Sequence, residues 1–254
     1  MPDKFNSSDF VAKNVDEGGR ATGAEYVAPG ATETPEQTTW GVGPWQGEWP
    51  ADAGTPDEPN PDSLLDPELL LNGDTRNVLD QYRYWKMEAI IASLDQRRHK
   101  YHVAIENWQH DLNIGSIVRT ANAFLAAEVH IIGNRRWNRR GAMVTDRYQH
   151  VRHHPTVEDF VEWCKTGGDN GEPLPIIAID NVPGCKKIEE YPLPENCVLL
   201  FGQEGPGLSG AAIESSEVVL EITQFGSTRS INASAAAAIT MHQWVMQWVF
   251  SHKL

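Results

Sequence analysis

CVLLFGQEGPGLSG, residues 197–210, is the stretch on which the reading of this chain turns. The apolar run CVLLF has strand character and ends in a glycine-rich turn, and a short helical stretch, GLSGAAIESS, follows. Strand, turn and helix in that order form one unit of an α/β fold. Gly205, Gly207 and Gly210 also spell G-x-G-x-x-G, the pattern of a dinucleotide site, in which the glycines allow a tight turn and the helix N-terminus takes the pyrophosphate. Three features count against a nicotinamide dinucleotide. Pro206 fills a variable position inside the turn, the helix is short, and only 33 residues follow Glu221, the acid placed to meet a ribose. Three readings stay open on these residues alone: a dinucleotide-dependent oxidoreductase, a structural loop without ligand, and another adenosine-containing ligand held by backbone groups.

Working outward, YHVAIENW, EVHIIG, PIIAIDN and EVVLEI read as further strands. NIGSIVRTANAF, TVEDFVEWC and INASAAAAITMHQWVMQWVF read as helices, with Thr156 capping the second and Glu158 and Asp159 in its first turn. The alternation predicts an α/β domain over residues 100–254, with a mostly parallel sheet and helices on both faces. Residues 61–99 read as a helical extension, with helical spacing from about residue 77 to 98. Residues 1–60 are rich in Pro, Gly, Thr, Asp and Glu, and read as an acidic, largely disordered tail. Inside that tail TWGVGPWQGEWP carries Trp40, Trp45 and Trp49, whose apolar area favours docking on the folded body over remaining loose.

The net charge of −14 belongs mostly to the N-terminal part: the first 80 residues hold 4 Lys or Arg against 16 Asp or Glu, the rest 17 against 19. Charge of this kind bears on association, not on fold. Cys164, Cys185 and Cys197 are odd in number and widely spaced, which argues against a disulfide framework and a cysteine zinc site. MPDKFNSSDF lacks the apolar run of a signal peptide, and no stretch approaches the roughly 18 apolar residues of a membrane span. A soluble cytoplasmic protein is the expectation.

Residues 133–154, GNRRWNRRGAMVTDRYQHVRHH, carry Arg135, Arg136, Arg139, Arg140, Arg147 and Arg152 against one acid, Asp146. They predict an RNA-binding patch, with guanidiniums on phosphates and Trp137 and Tyr148 stacking on unpaired bases. A solvated basic loop is the plainer alternative. His150, His153 and His154 are read as solvated too, and no metal site is expected, since no Asp, Glu or Cys cluster completes one. Asn113 and Arg119 follow a strand, at the carboxyl end where open α/β sheets take ligands, although Asn113 also suits a helix cap and Arg119 a solvated surface.

NIGSIVRTANAF, LLFGQEGPGLS and ITQFGSTRSINASAAAAI, in that order, resemble the three motifs of the SpoU (TrmH-like) RNA ribose 2′-O-methyltransferases of the SPOUT superfamily. The resemblance covers roughly residues 100–250. It implies a SPOUT fold with a C-terminal trefoil knot, S-adenosylmethionine as cofactor, a homodimer, and transfer or ribosomal RNA as substrate. It places the catalytic roles on Asn113, Arg119, Glu204, Ser230 and Asn232, and the cofactor contacts on Gly202, Gly205, Ile222, Gln224 and Ile231. Arginine is too basic to act as a simple base. The resemblance therefore has Arg119 orient the ribose and lower the hydroxyl's proton affinity, Asn113 and Glu204 hold Arg119 or the nucleotide, and Ser230 and Asn232 shape the pocket. Two positions depart from the family pattern. Thr223–Gln224 stands where I-P-M before a glycine is common, and Leu125 stands where glycine commonly follows the phenylalanine of the first motif. A non-catalytic RNA-binding protein on this scaffold is the alternative these departures leave open.

Overall fold

The structure, a computed structural model, describes residues 41–108, 113–167 and 171–251. Residues 1–40 of the expected tail, Trp40 among them, lie outside the described residues.

Seven strands form one sheet: β1 (His102–Asn107), β2 (Val129–Gly133), β3 (Val151–His154), β4 (Ile176–Ile179), β5 (Lys186–Lys187), β6 (Val198–Phe201) and β7 (Val218–Glu221). Their order is β3-β2-β1-β6-β4-β7-β5, and every pairing is parallel. Parallel strands need a crossover, and here helices supply most of the covering. Val103, Ile105, Ile131, Leu199 and Phe201 face one side, against α3 (Asn113–Ala123) and α6 (Ala233–Val245). Ala104, Ile132, Ala178 and Leu200 face the other, against α4 (Val157–Thr166) and α5 (Gly210–Glu214). That is why β4 and β6 read as unbroken apolar runs. Each large side chain fully buried there, such as Ile105 or Ile117, contributes about 1.5–3 kcal/mol. Thr156 caps α4 as its sequence predicts, its hydroxyl accepting from the Asp159 amide, and Gly167 closes the helix at φ 75°.

Two short stretches escape the sequence reading. β3 lies within what reads as a basic loop, because VRHH has neither a β-branched run nor an apolar alternation. β5 is a pair of exposed lysines on the other edge of the sheet. Charged edges discourage pairing with a second sheet.

The helix expected over residues 77–98 is broken. Only α2 (Met87–Asp95) is α-helical, after α1 (Pro67–Asn72) and a 3₁₀ turn at Asp80–Tyr82. Asp74 gives the reason. Its carboxylate is wholly buried and accepts from the amides of Arg76 and Tyr84 and from the Arg76 guanidinium at 2.8 and 2.6 Å. The chain wraps round this anchor, and Tyr84 takes φ 61°. Residues 41–60 are turns tied into the same knot of contacts. Val42 and Asp74 exchange both backbone bonds at 2.9 Å, Trp45 meets Tyr84 edge-on with ring centroids 5.6 Å apart, and Trp49 Nε1 donates to Gly54 at 2.7 Å.

Leu125 joins this extension to the sheet domain. It occupies the left-handed region at φ 52°, at the end of α3, where glycine would be free of strain. Its side chain packs on the cluster of Tyr82, Ile90, Leu94 and Tyr148. Arg98 adds polar ties, donating to Tyr148 O at 2.7 Å and Gln149 Oε1 at 2.8 Å. Tyr148 is thus buried in the seam and is not a surface platform for bases.

Candidate active site

The carboxyl ends of β4, β6 and β7 open into a cavity of about 560 Å³. One strand-ending loop, residues 201–208, supplies a large part of its wall, beside the ends of β4 and β7 and residues 229–236. After Phe201 the chain turns back on itself, Gln203 and Gly207 exchanging backbone bonds at 3.2 and 3.1 Å, with Gly205 at φ 95° and Gly207 at φ 72°. L-residues resist those dihedrals. Gly202 is required for a second reason: a Cβ there would lie 2.2 Å from the Gly207 carbonyl carbon.

Two carboxylates pin this loop. Asp180 Oδ2 accepts from the Leu208 amide at 2.9 Å. Glu106, wholly buried at the end of β1, accepts from the Ser209 amide at 2.7 Å and from the Trp108 indole at 3.0 Å. A protein carboxylate therefore already faces the start of α5, where a dinucleotide's pyrophosphate would have to lie. That disposes of the nicotinamide reading of the three glycines. Neither Asp180 nor Glu106 was singled out in the sequence; the available signal was an acid at the carboxyl end of each strand pattern.

The three motif stretches converge at one point. Asn113, at the start of α3, donates from Nδ2 to Glu204 Oε2 at 2.6 Å. Asn232 Nδ2 donates to Asn113 Oδ1 at 2.9 Å and to the same Glu204 oxygen at 3.2 Å. Asn232 is also the N-cap of α6, its Oδ1 accepting from the amides of Ser234 and Ala235. One residue thus fixes the helix and closes the polar triangle.

Gly202, Gly205, Ile222, Gln224 and Ile231 all line the cavity, as do Glu204, Ser230 and Asn232. Asn113 touches it only through Glu204 and Asn232. Arg119 does not line it; it is exposed on α3, and no hydrogen bond or ion pair is found for it among the described residues. Thr223 has a structural use: its amide and hydroxyl donate to the two Glu189 oxygens at 3.0 Å each, fixing the rim on which Gln224 stands. Burial pulls the Glu189 carboxyl up, but the bonds from its own amide and from Thr223 outweigh it and hold the group below its usual range. Among the described residues Gln224 Oε1 is buried without a hydrogen-bond partner.

The arginines of the basic stretch do not all lie together. Arg135, Arg136, Arg139, Arg140 and Arg147 are exposed. Arg135, Trp137 and Arg139 surround a second cavity of about 320 Å³, where Arg139 pairs with Asp146 at 3.4 Å. Arg152 points elsewhere, onto Glu128 at 3.0 Å. The three histidines read as solvated also part company. His150 meets Asp95 at 2.8 Å, His153 Nε2 meets Gly133 O at 2.8 Å, and His154 is buried.

The chain is 29% identical over 160 residues to the tRNA (guanosine(18)-2′-O)-methyltransferase of Escherichia coli K12, covering 61% of this chain and 66% of that one, just under two thirds of the relative's length. It is 22% identical over 165 residues to the enzyme of the same name from Borreliella burgdorferi, covering 64% and 73%. The crystal structure of the SpoU methyltransferase AviRb from Streptomyces viridochromogenes, in complex with AdoMet, superposes with a TM-score of 0.54 at 22% identity, over 62% of this chain and 61% of that one. The A. aeolicus TrmH/SpoU tRNA modifying enzyme gives 0.56 at 19%, over 65% and 84%. These likenesses establish the SPOUT methyltransferase fold for the sheet domain. The profile of the SpoU rRNA Methylase family matches residues 100–242, a span that holds Asn113, Glu204, Asn232 and the cavity they border, and the chain belongs to that family.

Proposed function

We propose that this protein transfers a methyl group from S-adenosylmethionine to a ribose 2′-hydroxyl of structured RNA, transfer or ribosomal. The observation that carries the reading is the triangle of Asn113, Glu204 and Asn232, which joins three distant stretches at the mouth of an adenosine-sized cavity. The residues present fit the cofactor. Gln224 Oε1 offers a buried acceptor for an amino group, Ile222 and Ile231 offer apolar walls, and the 202–208 backbone provides close polar contacts without side chains in the way. Bound there, the cofactor supplies an electrophilic methyl on a sulfonium.

The chain's own part is positioning and charge. Glu204 and Asn113 present acceptors and donors at the mouth, and Ser230 stands beside them on the cavity wall. Arg119 supplies a guanidinium, whose donors match a phosphate. Beside a ribose it holds the neighbouring phosphate and lowers the hydroxyl's proton affinity. Because Arg119 lies outside its own chain's cavity, the reading includes a homodimer in which a second copy presents it. Ile239 and Met246, exposed apolar side chains on and just after α6, support such a contact. Arg135, Arg136, Arg139, Arg140 and Arg147 grip phosphates around Trp137, with Arg152 left out. The relatives named for tRNA methylation support RNA as the substrate, and action in the cytoplasm fits it. No helix among the described residues is long and apolar enough to cross a membrane.

The test is Arg119→Ala. AdoMet binding, measured by calorimetry, should survive, while methylation of total RNA falls by orders of magnitude. Undiminished methylation would remove Arg119 from the reaction, and absent methylation by the wild-type chain would reject the enzyme.

A further inference from the structure

Three imidazoles stand in a diagonal row across β1, β2 and β3, on the sheet face opposite α3 and α6. His102 Nδ1 lies 3.0 Å from His130 Nε2, and His130 Nδ1 lies 3.0 Å from His154 Nε2. All three are buried, His130 completely. Trp163 of α4 roofs the row, its ring centroid 5.3, 4.3 and 5.8 Å from those of His102, His130 and His154. Glu128, just before β2, brings a carboxylate to the same place, with Oε2 4.0 Å from His130 Nε2. Nothing in the methyl-transfer reading uses any of these groups.

We propose that His102, Glu128 and His130 form a binding site for a first-row divalent cation, with zinc the best fit. Nitrogen and carboxylate donors are the ones zinc takes, at about 2.0–2.1 Å, which sets neighbouring ligands about 3.3–3.4 Å apart in a tetrahedron. The observed separations of 3.0 and 4.0 Å bracket that edge, and all three donor atoms lie within 4.8 Å of one another. The proton count also closes. Without metal, one hydrogen sits between His102 Nδ1 and His130 Nε2. With metal, both nitrogens present lone pairs and each neutral ring carries its proton on its other nitrogen. For His130 that nitrogen is Nδ1, which donates to His154 Nε2. His154 then orients the ligand, as outer-shell partners of metal-bound histidines do. Glu128 is at present paired with Arg152, whose Nε lies 3.1 and 3.0 Å from its two oxygens and whose guanidinium lies over Trp163 at 5.4 Å. Arg152 is the one feature that opposes a cation. Its side chain is 36% exposed, so water screens its charge. The ion would clamp β1 to β2 beside the edge strand β3, a structural role.

The test uses the full chain, stripped with a chelator and titrated with Zn²⁺ against a chromophoric competitor, then with Co²⁺ followed by visible absorption. Expected are one ion per chain with Kd in the low micromolar range or tighter, a raised Tm, and a tetrahedral Co²⁺ spectrum without thiolate charge-transfer bands. Glu128→Gln and His130→Asn should each weaken Zn²⁺ binding about 10–100-fold. Arg152→Gln, which removes the nearby cation and keeps all three ligands, should tighten it. Should His130→Asn fail to fold, Glu128→Gln and the Co²⁺ spectrum carry the decision. No stoichiometric uptake by folded wild-type chain at 100-fold excess Zn²⁺, uptake unchanged in Glu128→Gln, or a thiolate spectrum would each overturn the site.

Discussion

Glu106→Gln removes a charge and keeps the shape of a side chain that touches neither cavity nor motif triangle. Glu106 is wholly buried, and its two oxygens accept one N–H each, from Ser209 at 2.7 Å and Trp108 at 3.0 Å. Glutamine has one carbonyl oxygen, so its amide must face one of these donors. The change loses a charge-assisted hydrogen bond, about 1.5–3 kcal/mol, and sets the glutamine amide against an N–H donor that is only partly buried, about 1 kcal/mol. The two overlap, and relief of carboxylate desolvation offsets part, which leaves a net destabilisation of about 2–3 kcal/mol. For a chain of this size that lowers Tm by roughly 4–10 °C. The Ser209 amide ends the glycine loop, so AdoMet affinity should fall about tenfold, equivalent to about 1.4 kcal/mol. A double-mutant cycle sharpens the point. Trp108→Phe deletes the competing indole donor, so the pair Glu106→Gln/Trp108→Phe should be less damaging than the sum of its parts. Thermal melts and calorimetry read all four proteins. Unchanged Tm and Kd in Glu106→Gln, or strict additivity in the cycle, would refute the assignment of Glu106 as the loop's anchor.

Gly202→Ala places a methyl 2.2–2.6 Å from the backbone of Gly207 and Leu208, so the loop must open; AdoMet binding by calorimetry should drop about 5- to 150-fold for an overpacking cost of about 1–3 kcal/mol, and wild-type affinity would contradict the geometry. Burial pulls the Asp74 carboxyl up, but its bonds from Arg76 and the Tyr84 amide prevail and hold it below the usual carboxylate value. The folded state therefore binds that proton less readily than the unfolded chain, and the stabilisation is full above about pH 4 and lost as pH falls through the lower folded value. Asp74→Asn should lower Tm at pH 7, by about 3–5 kcal/mol of lost stability, and flatten the acid limb of Tm against pH; an unaltered limb would count against Asp74 as its source. Leu125→Gly relieves about 1–2 kcal/mol of left-handed strain but removes a side chain from the Tyr82–Ile90–Leu94–Tyr148 cluster, so hydrogen exchange in α2 should quicken while β1 and β6 stay protected. Unchanged exchange in α2 would show that Leu125 does not hold the extension.

Much of the sheet domain was legible because its physics is local. β4 and β6, buried on both faces, are apolar throughout, and caps such as Thr156 and Asn232 carry their own signal. β3 was illegible because VRHH earns its place by what it meets: Glu128, Gly133 and a histidine one strand away, none of them visible as periodicity. The break in the expected 77–98 helix was hidden for a similar reason. Asp74 lies upstream of the pattern it interrupts, and only the fold brings it against the Tyr84 amide. At the site, glycines and motif residues could be named from sequence, yet Arg119 was expected in the cleft and does not line it, since a spacing along a helix does not say which way the helix turns its side chains once it is packed. Leu125 looked like a simple departure from pattern. In the structure the departure has a partner, the extension, whose packing offsets the strain.

The strand order β3-β2-β1-β6-β4-β7-β5 has a consequence for how the chain is made. β1 sits between a neighbour synthesised soon after it and another, β6, that leaves the ribosome only after β3, α4, β4 and β5 have appeared. Throughout that interval one edge of β1 is bare, and Val103 and Ile105 lack the cover of α6, which emerges later still. Long-range parallel pairing of this kind is slow and exposes sticky surface. Chains stalled before residue 201 therefore present half a sheet to the cell, and those are the products that chaperones and proteases would meet first.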